Sequence, residues 1–423
     1  MSSEQEKKRV YRRLESLQSV KNSQAMYYLM SKNPYLHDEG KKIAWVTSGA
    51  PVEFLIAMDI VPLYPEQYGA IAGAAKDSTR LSQVAESKGY SPDLCAYART
   101  SFGSIFSPDP PTPLSEIDGV GGLAQPDMLI AGNNICGTVL KWYQDLSRYF
   151  KIPLFLFDTP PLMSDTIPSY YIDYLTSQLQ NFIKFLEDQM GRKMDEERMI
   201  ETMKCSRHTT QLWTQILQLC KTKPSPLNCA DRFLLMAPVV SQRGVPEIVQ
   251  VYEEVLSEIQ QRVDKGLGAI TVPEKYRLLF DNIPIWFNLY EFFNSLSAKG
   301  VVFPVDTYTQ AWSQKFTETG DLLHDVAVIY SNIYLNKTLQ HKIDLITSLV
   351  NEYECDGILY HSMRSCKRYS LGQPITRREV TEKTGKPGVI IEGDMCDNRN
   401  FSEEQAWTRI DALLELTAQN IQS

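Results

Sequence analysis

Short apolar runs of strand length alternate with amphipathic helical stretches along this chain, and that alternation admits few folds. KKIAWVTS (41–48), IVPLYPE (60–66), PDMLIAGNN (126–134) and IPLFLFDTPP (152–161) read as strands, with PVEFLIAMDI and residues 136–150 as helices between them. Such a series predicts a parallel, doubly wound sheet, whose ligands bind beyond the carboxyl ends of the strands, where Ser48, Glu66 and Cys136 fall. From about 168 to 265 the strand signal gives way to amphipathic stretches such as YYIDYLTSQLQNFIKFLEDQM and PEIVQVYEEVLSEIQQRVDKG, broken by KPSPLN. The α/β pattern returns with YRLLFDNIPIW, VVFPVDTY, a helix around 331–351, GILY and KPGVIIEGD, closed by a helix at 403–418. At 423 residues the chain exceeds one hydrophobic core. The expected fold is α/β, with two Rossmann/flavodoxin-like parallel-sheet domains at 1–165 and 269–423 and a helical subdomain at 166–268 between them. Residues 5–32, dense in Lys, Arg and Glu, are expected to lead as a solvated helix.

The formal charge of -8 argues against nucleic acid as the main partner. No run approaches the ~18 apolar residues of a membrane helix, and MSSEQEKKRVYRRLESLQ has no apolar signal core, so a cytoplasmic chain with reduced thiols is expected. Three of the eight cysteines stand out. Cys95 (SPDLCAYARTSFG), Cys136 (AGNNICGTVLKW) and Cys366 (YHSMRSCKRYSLGQ) each sit in a turn-like segment rich in Gly, Asn, Ser and Arg, beside a strand or helix start. Three thiolates from separate loops can hold three irons of a four-iron cube and leave the fourth open to substrate. The plainer alternative is a buried thiol acting as a small hydrophobe, which suits Cys205, Cys220 and Cys229 in or beside helical sequence. Cys355, just before GILY, and Cys396, in IEGDMCDNRN, fit either reading.

Two glycine-rich stretches carry no nucleotide signal. In GAIAGAAKDST (69–79) the lysine follows Gly73 by three residues and misses the phosphate-loop spacing, and GVGGLA (119–124) follows a proline-rich loop, DPPTPLSEIDG, rather than a strand. No H-x-x-x-H pair occurs. His361 directly follows GILY, five residues before Cys366, and is a candidate to face a site at the strand ends.

The order WVTSGAPVEFLIAMDIVPLYPEQYGA, GYSPDLCAYAR, NNICGTVLKWY, KPSPLN, YHSMRSCKRYS and IEGDMCDNRNFSEEQAWTRIDALLE resembles the larger subunits of the 2-hydroxyacyl-CoA dehydratase and benzoyl-CoA reductase family over nearly the whole chain. The resemblance implies an oxygen-sensitive heterodimer with a related iron–sulfur subunit, an acyl-CoA substrate, and a separate ATP-hydrolysing iron–sulfur activator that delivers one electron. It makes Cys95, Cys136 and Cys366 the ligands of a [4Fe-4S] cluster whose open iron takes the thioester oxygen. The added electron gives a ketyl radical that expels the α-hydroxyl and acidifies the β-hydrogen, yielding a 2-enoyl-CoA. Ser48 and Glu66 match positions beside that iron. Ser48 can donate to a thioester oxygen or cluster sulfur, or else cap a helix. Glu66 can protonate the leaving hydroxyl or take the hydrogen if burial raises its pKa, or else stand as an exposed turn carboxylate. Cys355 and Cys396 leave open a fourth thiolate ligand or a double-cubane cluster. A benzoyl-CoA-type reductase and an electron-relay subunit are the alternative functions.

Overall fold

The structure, a computed structural model, describes residues 9–108, 122–164 and 166–422. The proline-rich loop, the start of GVGGLA and the first eight residues lie outside them. The first part of the chain runs α1 (Leu17–Ser31), β1 (Lys42–Val46), α2 (Val52–Ala57), β2 (Ile60–Leu63), α3 (Pro65–Ala74), α4 (Ser78–Ser87), α5 (Ala96–Phe106), β3 (Met128–Gly132), α6 (Thr138–Phe150) and β4 (Leu154–Phe157). Four helices follow: α7 (Ser169–Met190), α8 (Glu196–Leu219), α9 (Cys229–Ser241) and α10 (Pro246–Asp264). The last part runs β5 (Tyr276–Asp281), α11 (Leu289–Ala298), β6 (Val301–Asp306), α12 (Thr307–Gln310), α13 (Leu322–Ser331), α14 (Leu339–Glu352), β7 (Gly357–Met363), α15 (Lys367–Ser370), α16 (Gln373–Thr384), β8 (Gly388–Gly393) and α17 (Glu403–Gln422).

Both sheets are four-stranded and parallel, ordered β2-β1-β3-β4 and β6-β5-β7-β8. Each winds one way for one strand and then reverses, which places topological switch points between β1 and β3 and between β5 and β7. The strands are near-continuous apolar runs because helices cover both faces; MLIAG and VVFPVD are buried at every position. One hydrophobic cluster contains Trp45 and Leu129 of the first sheet, Phe280 and Leu359 of the second, and Phe233 of α9. The two sheets therefore share a core.

Three expectations are corrected. The leading helix begins only at Leu17, because the described residues before it are spent on pairing: Tyr11 bridges Ile270, and the Arg12 N–H donates to the Ala269 carbonyl at 2.7 Å. The helix expected around 331–351 begins only at Leu339, as α14, and residues 332–338 link it to the preceding α13. Between them the buried Asn336 side chain donates to the Pro160 carbonyl (3.1 Å) and to the Tyr171 hydroxyl (2.9 Å), and Thr338 caps α14. The second strand stops at Leu63, and Pro65, pre-set for a first helical turn, puts Glu66 on α3.

The glycines of GAIAG lie inside α3, where they permit close packing. A Cβ on Gly69 would stand 2.6 Å from the Tyr97 ring, and one on Gly73 would stand 3.1 Å from the Cys396 sulfur. α3 is thereby seated against α5 and the loop after β8. Helix α9 is apolar nearly all round, as a buried helix must be. Its interior Pro238 has no N–H to give the ladder, and the Tyr252 hydroxyl bridges the same turn, donating to the Leu235 carbonyl and accepting from the Val239 N–H.

Candidate active site

The carboxyl ends of both sheets open onto one cavity of about 270 Å³. The first sheet supplies Ser48 after β1, Glu66 after β2 and Cys136 after β3; the second supplies Ile283, Tyr308 and Cys366 after β5, β6 and β7. Cys95, immediately before α5, completes a wall on which all three singled-out cysteines meet Ser48 and Glu66. The two halves are stitched here directly, since the Ala96 N–H donates to the Ser365 hydroxyl at 3.1 Å.

Each thiol sits where backbone amides point at it. Cys95 receives the Ala98 and Tyr97 N–H groups, Cys136 those of Val139 and Thr138, and Cys366 that of Tyr369. Burial nevertheless pushes all three thiols up, Cys366 to about 12; Cys366 and Cys136 also raise Cys95, Cys136 raises Cys366, and Glu66 raises Cys136. Anionic sulfurs in this apolar wall require a compensating positive group. Among the described residues no His, Cys, Asp or Glu trio converges tightly enough to hold a single metal ion. Three thiolates from three loops, each with amide donors, fit the donor set of a polynuclear iron–sulfur cluster.

The other cysteines are placed differently. Cys396 is fully buried behind α3, its thiol donating to the Gly69 carbonyl at 3.2 Å, and it feels the charge of Cys95 without lining the cavity. Cys355 lies in a separate core cluster, with Arg277 as its main charged neighbour. Cys220 and Cys229 are buried around Arg232, and Cys205 is half-buried on α8. His361 is buried beneath the site, with Nδ1 held by the Ile283 carbonyl at 2.7 Å and Nε2 unpartnered; burial lowers its pKa, so it is neutral and is not on the cavity wall.

Ser48 caps no helix, the N-cap of α2 being Pro51. Instead its backbone N–H and its hydroxyl both donate to Glu66 Oε1, at 3.2 and 3.4 Å. The turn that aims it is built by Asn134, which donates to the Gly49 carbonyl and lies where any Cβ on Gly49 would be, 2.1 Å away. Glu66 is half-buried only because it borders the cavity; protein surrounds it otherwise. Burial lifts its pKa to about 7, against the pull of the Ser48 donors, and Oε2 has no partner.

Several wall residues escape sequence reasoning. Tyr97 accepts from the Trp286 indole at 2.7 Å and bonds the Tyr308 hydroxyl, and Tyr369 meets Tyr334 edge to face with ring centres 6.0 Å apart, giving a tyrosine-rich side to the cavity. The Cys366 loop is anchored from below by Lys342, which pairs with the buried Asp281 at 3.0 Å and reaches the Tyr369 carbonyl at 3.3 Å. α9 contributes Phe233, Leu234, Met236, Ala237 and Val240, and is clamped to the end of β6 by the buried Arg232–Asp306 pair. RFLLMAPVV announces a buried helix, but nothing in it says that one side meets a cavity.

The family model described as 2-hydroxyglutaryl-CoA dehydratase, D-component, matches residues 47–416. The chain is 37% identical over 382 residues to the (R)-2-hydroxyisocaproyl-CoA dehydratase alpha subunit of Clostridioides difficile, covering 90% of this chain and 91% of that protein. It is 31% identical over 416 residues to the lactoyl-CoA dehydratase subunit alpha of Anaerotignum propionicum, covering 96% and 98%. To a benzoyl-CoA reductase subunit of Thauera aromatica it is 28% identical over 398 residues, covering 90% and 89%.

Proposed function

Because the chain belongs to the 2-hydroxyglutaryl-CoA dehydratase D-component family, we propose that it is the iron–sulfur subunit of a cytoplasmic 2-hydroxyacyl-CoA dehydratase, working with a second, related subunit and an ATP-hydrolysing activator. The observation that carries this reading is the convergence of Cys95, Cys136, Cys366, Ser48 and Glu66 on one largely apolar cavity between the carboxyl ends of two sheets. Cys95, Cys136 and Cys366 would hold a [4Fe-4S] cluster. When bound, such a cluster supplies single low-potential electrons and a Lewis-acidic iron to a thioester carbonyl.

The chain's own residues manage the protons. With a pKa near 7, the Glu66 carboxyl exchanges a proton readily at neutral pH. The two Ser48 donors fix Oε1 and leave Oε2 as the atom that carries or takes the proton. From Oε2 a proton can pass to the departing 2-hydroxyl, and the carboxylate so formed can then take the 3-hydrogen. Walls such as Phe233, Ile283, Trp286 and Leu335 exclude water, which would otherwise consume a reactive intermediate.

The test is anaerobic co-expression with the partner, iron and sulfide counting, and turnover with activator, ATP and 2-hydroxyacyl-CoA. About four irons on this chain and release of an enoyl-CoA are expected. Cys95→Ser, Cys136→Ser and Cys366→Ser should each lose iron, whereas Cys355→Ser and Cys396→Ser should retain it. Iron near zero in the anaerobic protein would sink the cluster assignment, and a ring-reduced product from benzoyl-CoA with no dehydration would replace the dehydratase reading with a reductase.

A further inference from the structure

Two helices face each other's side of the cavity with different chemistry. α3 runs from the deep Glu66, past Gln67, Ala70 and Ile71, to the exposed Ala74, so the cavity opens toward its carboxyl end. α9 presents Leu234, Ala237 and Val240, three residues apart, which are half-buried while Phe233, Leu235, Met236 and Val239 are fully buried. That stripe is incompletely covered because the cavity lies before it. Its carboxyl end lies at the deep end: Gln67 bonds Gln24, which bonds Gln242 just beyond α9. Trp312 stands at this end too, with the Arg243 guanidinium 5.9 Å from its ring centre.

Charge is scarce here. Among the described lining residues the only ionisable acid other than the thiols and tyrosines is Glu66, and the only cation is Arg368, which is exposed. Arg243, behind Trp312, is already bound by Glu53 at 2.9 Å and by Tyr330. A free carboxylate on the acyl chain, seated at the stripe, would be buried against Leu234, Ala237 and Val240 with Glu66 lining the same cavity and with the one lining cation, Arg368, out in solvent, and unpaired burial of a charge is strongly unfavourable. A two-carbon side chain would instead leave the stripe facing a void and forfeit its contacts.

Resting on the dehydratase reading, we infer that this enzyme takes thioesters whose acyl chain is bulky and uncharged, branched aliphatic or aryl, and that the Leu234–Ala237–Val240 stripe with Trp312 sets this preference. The experiment uses the activated holoenzyme and compares kcat/KM for 2-hydroxy-4-methylpentanoyl-, phenyllactyl-, lactoyl- and 2-hydroxyglutaryl-CoA. The two bulky uncharged thioesters should lead lactoyl-CoA by at least about tenfold and the dicarboxylic one by more, since each methylene in a fitted pocket is worth roughly 10-fold or more. Ala237→Phe, which fills the stripe, should lower kcat/KM for the bulky thioesters at least about tenfold more than for lactoyl-CoA, a change of selectivity that a folding defect, which lowers all substrates alike, cannot produce. Binding of the unreactive 4-methylpentanoyl-, propionyl- and glutaryl-CoA to the same holoenzyme, read by calorimetry, should follow the same order. Preference for the lactoyl or dicarboxylic thioester, or an equal loss on all substrates in Ala237→Phe, overturns the inference. If no 2-hydroxyacyl-CoA is dehydrated yet the binding order holds, the dehydratase reading fails and the acyl preference stands.

Discussion

At the scale of single residues the site is a balance between burial and a few donors. Burial raises the Glu66 pKa from 4.5 to about 7, and the Ser48 N–H and hydroxyl restrain the rise. Between those values the folded chain keeps a proton that the unfolded chain has released, so stability falls as pH rises across this window, by about 3 kcal/mol at full extent. In chain prepared without metal, Glu66→Gln should therefore raise the urea midpoint at pH 8 and leave it nearly unchanged at pH 4; equal effects at both would contradict the raised pKa. Glu53 has the opposite sign. Burial pushes its carboxyl up, but Arg243, Ser206 and Tyr330 together hold it below the usual range, so its contribution is present at neutral pH and is lost as pH falls below 4.5 toward the folded value. The polarity of each carboxyl was not visible in sequence. Glu53 and Glu66 both stand in the first turn of a helix, and what separates them is a guanidinium from a residue 190 positions away from Glu53.

At the scale of elements, helices come close where glycine permits it, and the site depends on that closeness. α4 and α5 touch so tightly that a Cβ on Gly103 would lie 1.9 Å from the Leu81 carbonyl oxygen, while one on Gly69 would meet the side-chain ring of Tyr97. Backbone cannot step aside as a ring can. Gly103→Ala should cost more than the ~1–3 kcal/mol of ordinary overpacking and Gly69→Ala about that amount, with Gly137→Ala, which meets nothing within 4 Å, near neutral; chemical denaturation orders the three. Much at this scale was legible beforehand. β1, β3, β5 and β7 announce themselves as apolar runs bounded by turn residues, and the doubly wound order follows from their alternation with helices. The break at 332–338 was not legible, because it is made by Asn336 reaching Pro160 and Tyr171, and no local pattern encodes a partner that distant. Cys95, Cys136 and Cys366 were marked by their loops, yet their meeting is a property of two sheets facing one another.

For the molecule as a whole, charged pairs are buried where parts of the chain join. Arg243 and Glu53, with Ser206 and Tyr330, tie α2, α8, the end of α9 and α13 together. Removing one partner strands the other, so Arg243→Met should lower stability by about 3–5 kcal/mol at pH 7, and the loss should shrink in acid as Glu53 becomes protonated; calorimetric melts at pH 7 and pH 4 read both effects. The shared core, with Trp45 and Phe280 in one cluster, means that the halves melt together. The bond from the Ala96 amide to the Ser365 hydroxyl bears on how the molecule is made. On a ribosome, Cys95 and Cys136 emerge more than two hundred residues before Cys366. On the proposed reading, a group held by all three would have to arrive after Cys366 has emerged, and its delivery would inspect the product: only a chain whose two sheets have already found each other could accept the cargo.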